Sequence, residues 1–163
     1  MLYRGMDRAQ LDAAYNNSAA VPERDAIVAG WAARSARVRR ECAGHFDLAY
    51  GETPAMTMPR AEVCGGIAIS GIYDLEPIRL NYLNEKLGLD AAEAERNSPV
   101  RDVPANASEL VVAYGTRELP ELCRQSIEYA QAWTKRGLPG RLLPVDGADH
   151  FTILTRWRDQ RVF

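Results

Sequence analysis

His150 stands in "RLLPVDGADHFTIL", residues 141–154, where an apolar run ends in an Asp-Gly turn, the histidine follows closely and a short apolar segment resumes. In an open parallel sheet, reactive side chains gather just beyond the carboxyl ends of the strands. Glu118, in "TRELPELCRQS", occupies the same kind of place after the apolar run "ELVVAYG". Acid and base thus come from successive strand ends. In such a pair the imidazole takes the proton of a nucleophile, while the carboxylate holds the correct tautomer and stabilises the imidazolium that forms. Ser70 and Asp74 follow the run "CGGIAISG", and Asp146 and Asp149 flank the histidine turn.

The elements that must position these residues alternate along the chain. "CGGIAISG" and "ELVVAYG" are continuous apolar runs bounded by glycine, the pattern of strands buried on both faces. "GRLLPVDG" is a third run, which Pro144 assigns to a sheet edge or an irregular strand. Between the runs lie "DLEPIRLNYLNEKLG" with helical pattern, "DAAEAERNS" with Asp90 as a cap, and "LPELCRQSIEYAQAWTKRG", an amphipathic helix closed by Gly137. Strands alternating with helices predict an α/β fold with a mostly parallel sheet and flanking helices.

The first 45 residues read as N-terminal helices. Leu11, Ala14 and Tyr15 share one face of "MDRAQLDAAYNNS", and Ile27, Trp31 and Val38 share a stripe of the helix that starts near Pro22. "HFDLAYG" alternates as a half-exposed strand does. "ETPAMTMPRAEV" has two prolines and no period.

Composition bounds the function classes. The 163 residues fit one domain, and 47% hydrophobic with 26% charged residues is ordinary for a globular chain. A net charge of −2, from 20 basic and 22 acidic residues, provides no field for nucleic acid or anionic lipid. The arginines of "RSARVRR" alternate with apolar residues as on a solvated helix face. The three cysteines form no C-x-x-C pair, so neither a disulfide framework nor a zinc site is expected, and Cys42 and Cys123 read as small packing residues. No metal or other cofactor is expected. With neither a signal-like start nor an apolar run of roughly 18 residues, the expected location is the cytoplasm, with no membrane partner.

"GGIAISGIYDLEPIRLNYLNEKLGLD", "NSPV", "VVAYGTRELPELCRQSIEYAQAW" and "GADHFTIL" together resemble the kynurenine formamidase and esterase branch of the α/β-hydrolases. "DAAYNNSAAVPE" and "YGETPAMTM" are similar to that branch's N-terminal segment and first strand. The resemblance implies that Glu118 holds the triad acid position, with a longer side chain than the usual aspartate, and that His150 holds the base position. It implies that Ser70 and Asp74 are supporting residues, and that Tyr15, Asn16 and Asn17 line the mouth of a substrate pocket.

The departure from that family matters as much. Neither a G-x-S-x-G elbow, which supplies the nucleophile, nor an H-G-G type oxyanion loop occurs in the chain. The pattern stops near Met58 and resumes at "RAEVCGGIAIS", so residues near 58–62 read as a deletion junction, and residues 63–163 as the C-terminal part of a single truncated hydrolase domain. As replacement nucleophile, Ser70 lies at the appropriate strand end but lacks flanking glycines and an immediately following helix, and Cys64 lies at the opposite end. His45 reads as an exposed residue before a strand.

Two expectations of different class follow. One is a serine hydrolase of ester or N-formyl amide bonds in small aromatic substrates, weak or inactive for want of its own elbow. The other is a non-catalytic remnant, a pseudoenzyme acting as a binding or interaction module. Loss of central strands would expose sheet edges, which invites association of the chain with itself.

Overall fold

A computed structural model describes residues 1–30 and 65–159. The architecture is α/β, as the alternation predicts. Three parallel strands, β1 (Gly65–Ile69), β2 (Glu109–Gly115) and β3 (Gly140–Val145), form a sheet in the order β1-β2-β3. In register, Ile67 lies opposite Val111, and Val112 opposite Leu142. β2 is the middle strand, and Val111, Val112 and Ala113 are all buried, which explains its unbroken apolar run.

Among the described residues β3 is a regular edge strand. Leu110 N–H donates to Pro139 O and Thr116 N–H to Val145 O, so the odd-numbered residues of β3 face β2. Pro144 therefore places its missing N–H on the open side, where no ladder bond is lost.

The longest described helix is α6 (Pro120–Lys135), preceded by α1 (Arg8–Ala14), α2 (Asn17–Ala20), helical residues 24–30, α3 (Glu76–Arg79), α4 (Asn84–Leu87) and α5 (Ala91–Arg96), and followed by α7 (Ile153–Asp159). Leu122, Gln125, Ser126, Tyr129, Ala130 and Trp133 recur at helical spacing on the buried face of α6, which packs on β2 and β3. There Tyr129 stacks on Tyr73 at 4.3 Å between ring centroids, over Val112 and beside Trp133. Gly137, at φ +78°, turns the chain out of the helix. Another cluster joins Ala113, Val145 and Ala148 to Ile153 of α7.

Two local readings are refined. Asp90 caps α5 as expected, through a reciprocal box with Glu93. "DLEPIRLNYLNEKLG", by contrast, is not one helix but the short pair α3 and α4. Asn81 is buried between them and its Oδ1 accepts the Leu83 N–H at 2.8 Å, while Tyr82 N–H donates to Asp12 of α1 at 2.8 Å, so backbone groups a continuous helix would use are diverted.

The expected strand in "HFDLAYG", the stripe residues Trp31 and Val38, "RSARVRR", Cys42, His45, Cys64 and the junction near 58–62 lie outside the described residues. Among the described residues no helix is long and apolar enough to cross a membrane.

Candidate active site

The loops after β2 and β3 are bonded to each other before any side chain is considered. Arg117 N–H donates to Ala148 O at 2.9 Å, and the Glu118 N–H closes a turn onto Gly115 O at 3.1 Å. Gly115 makes this approach possible, because a Cβ there would stand 2.3 Å from Ala148 O. Thr116 Oγ1 accepts the Gly147 N–H at 2.9 Å. Asp149 holds the backbone of the next turn. Its Oδ1 accepts the N–H groups of Phe151 at 3.0 Å and Thr152 at 2.9 Å, which fixes the segment that carries His150.

From these clasped loops Glu118 and His150 meet. His150 Nδ1 lies 3.2 Å from Glu118 Oε1. The Glu118 side chain is 0% exposed and that of His150 is 35% exposed, so the acid is sealed while the base reaches solvent. A carboxylate can only accept, which places the ring proton on Nδ1 and leaves Nε2 as the basic nitrogen. Among the described residues no side chain pairs with Nε2.

Ser70 joins the pair on the acid side. Its hydroxyl donates to Glu118 Oε1, the oxygen that also faces His150. A nucleophile would give its proton to Nε2, so the structure assigns Ser70 a place different from the one a replacement nucleophile needs. Among the described residues Glu118 Oε2 is buried without a partner, as are the hydroxyls of Tyr73 and Ser126. Burial pushes the Tyr73 hydroxyl up to about 12, and the charges of Tyr129 and Glu118 add to it.

Cys123 is no better placed as a nucleophile. Its thiol is pushed up by burial and then by the Glu118 charge, the reverse of thiolate activation. The sulfur sits 3.6 Å from Gly115 O and 3.7 Å from Glu118 O, covering carbonyls of the turn.

Tyr15 lies at the interface between α1 and α6, and Asn16 and Asn17 follow it at the start of α2. Tyr15 packs with Leu11, Ile78 and Leu122. Its hydroxyl donates to Glu121 Oε2 at 2.9 Å and accepts from Gln125 Nε2 at 2.6 Å. Asn16 caps α2 by accepting the Ala19 N–H at 3.1 Å, and Asn17 is the half-buried first residue of that helix. None of the three bonds to Glu118 or His150 among the described residues.

The network that receives Tyr15 was not singled out in the sequence. Gln125 Oε1 accepts the N–H groups of Tyr73 at 2.7 Å and Asp74 at 2.8 Å, and Arg124 forks onto Glu121 at 2.7 Å through both Nε and Nη2. Burial pushes the Glu121 carboxyl up, yet the bonds from Arg124 and Tyr15 outweigh it and hold the group below the usual carboxylate range. The available signal was the spacing of Glu121, Arg124 and Glu128 on one helix face.

A cleft of about 280 Å³ lies between helical residues 24–30 and the start of α7, lined by Ile27, Thr152 and Arg156. A larger cavity of about 600 Å³ lies at the opposite, amino-terminal end of the sheet, against Gly65, Glu109 and Trp133. It holds none of the residues of the acid–base pair. Among the described residues no group of three or more His, Cys, Asp or Glu side chains is arranged to hold a metal ion.

No family model matches the chain. It is 36% identical over 104 residues to kynurenine formamidase from Danio rerio, an alignment covering 61% of this chain and 36% of that protein. The corresponding protein from Salmo salar is also 36% identical over 104 residues, covering 60% and 35%. A crystal structure of a Silicibacter protein described as a thioesterase superposes with a TM-score of 0.51 at 26% identity, over 59% of this chain and 35% of that one. The chain spans about a third of the length of the curated relatives it matches.

Proposed function

We propose that this chain is a kynurenine formamidase-like member of the α/β-hydrolases and that it carries the acid and base of a serine-hydrolase centre without the nucleophile elbow. The chemistry is hydrolysis of ester or N-formyl amide bonds in small aromatic compounds. Glu118 orients the imidazole and stabilises its cation, and His150 Nε2 accepts the proton of an attacking hydroxyl or water. The observation that carries the reading is the 3.2 Å approach of His150 Nδ1 to the wholly buried Glu118 carboxylate.

Without a G-x-S-x-G serine, the chain alone should turn over activated esters only slowly, through the imidazole itself or through a water that it activates. Treatment of the purified chain with a fluorophosphonate, beside p-nitrophenyl acetate turnover, tests this. The expected result is slow turnover lost in His150→Ala, with no serine labelled. Labelling at Ser70 that His150→Ala abolishes would show Ser70 to be a nucleophile and overturn the assignment.

The second reading is a non-catalytic binding module. It is favoured by the donation of the Ser70 proton to Glu118 rather than to the imidazole. Turnover indistinguishable between the native chain and His150→Ala would remove the first reading and leave this one.

A further inference from the structure

We propose that Ser70 is a positioning residue for the Glu118–His150 pair, selecting which way the buried carboxylate faces and thereby which nitrogen of His150 is basic. The proposal rests on reading those two residues as acid and base. Ser70 has φ +50°, in the left-handed region that favours glycine, and among the described residues Arg4 is the only other non-glycine residue with a positive φ. Glycine would adopt that conformation with less strain, so the conformation alone gives no reason for a serine.

The side chain supplies the reason. Ser70 N–H is bonded to Ala113 O of β2 at 2.9 Å, which fixes the residue at the carboxyl end of β1. From there the hydroxyl donates to Glu118 Oε1. Among the described residues, Ser70 and His150 are the side chains that bond this carboxylate, and both meet the same oxygen.

Glu118 has alternatives that this arrangement leaves unused. Among the described residues the hydroxyls of Tyr73 and Ser126 are buried without partners, as is Glu118 Oε2, and the tyrosine feels the glutamate's charge. Burying a carboxylate is unfavourable unless donors satisfy it. Released from Ser70, it would turn toward these hydroxyls and loosen its hold on the imidazole. Tyr73 and Cys123 also sense the Glu118 charge, and burial pushes both of them up.

The test is the tautomer of His150, read from ring ¹⁵N shifts at a pH where the ring is neutral, with His150→Ala identifying its signals against those of His45. The native chain should show Nδ1–H as the dominant form. Ser70→Gly, which relieves the backbone, should lose that dominance while remaining at least as stable in urea, and Ser70→Ala should lose it too. In a Glu118→Gln background, Ser70→Gly should change nothing further. An unchanged tautomer in Ser70→Gly, or an equal change when Glu118 is already Gln, would overturn the proposal. Neither result depends on turnover, so failure of the hydrolase reading would be recognised separately.

Discussion

Glu118 and His150 lie 32 residues apart and are joined by one 3.2 Å contact between a side chain that water does not reach and one that it does. The asymmetry is what the chemistry needs. An exposed carboxylate would be screened and mobile, whereas a buried one orients its partner strongly. A buried imidazole could not reach a substrate, whereas a partly exposed one offers Nε2. The backbone bond from Arg117 to Ala148 ties the two loops together, so the pair is built into the sheet's end and does not depend on long flexible side chains.

Replacement of Glu118 by Gln tests the orienting role. An amide can donate as well as accept, so His150 is no longer restricted to the tautomer with Nε2 free. Any His150-dependent hydrolysis of p-nitrophenyl acetate should fall to the His150→Ala background. Stability should change little, because the substitution also removes a buried charge that has an unpartnered oxygen. Retention of full turnover in Glu118→Gln would remove the acid from the mechanism.

Gly115→Ala should disrupt the site without touching either side chain. The added methyl would meet a backbone carbonyl, Ala148 O, that is held by Arg117 and cannot swing aside as a side chain does. The expected destabilisation lies at or above the upper end of the ~1–3 kcal/mol typical of overpacking. Urea denaturation measures it, and the ring ¹⁵N shifts of His150 should lose their Nδ1–H signature in whatever fraction remains folded.

The meeting of Glu118 and His150 was legible because strand ends are marked in the chain: apolar runs bounded by glycine announce β1 and β2, and the two residues stand just beyond β2 and β3. The unpartnered second oxygen of Glu118 was not legible, since no local period encodes the burial of a single side chain. The left-handed Ser70 left only a faint trace, a serine before glycine at the end of a run. Asn81 broke an apparently continuous helical pattern because its side chain competes for backbone N–H groups. The bond from Tyr15 to Glu121 spans 106 residues, and no local period encodes it.

That bond predicts both a stability loss and an acid transition. Tyr15→Phe removes one donor from the buried Glu121 and one acceptor from Gln125, and should lower stability by about 1–3 kcal/mol in urea. Glu121 is held below its ordinary value when folded, so its contribution is fully present above the unfolded glutamate value of about 4.3 and is lost as the pH falls through the lower folded value. Protection of α1 amides in hydrogen exchange should decline over that acidic window. Glu121→Gln should flatten the decline; an equally steep loss in the variant would assign it to other carboxylates.

The outer side of β1 leads to a last prediction, that the chain associates with itself. Ser70 N–H bonds Ala113 O, so the even-numbered residues of β1 face β2, and the backbone groups of Gly65, Ile67 and Ile69 point the other way. Among the described residues no strand pairs with that side, and Ile67 is 39% exposed beside the bare backbone of Gly65 and Gly66. An open, uncharged edge of this kind is a template for another strand, and a lysine on it is an effective block. Light scattering after size exclusion should therefore find a dimer or larger species whose share grows with concentration, and Ile67→Lys should return it to monomer with the Glu118–His150 tautomer signature unchanged. A native chain that stays monomeric at all concentrations would show that this edge is already covered.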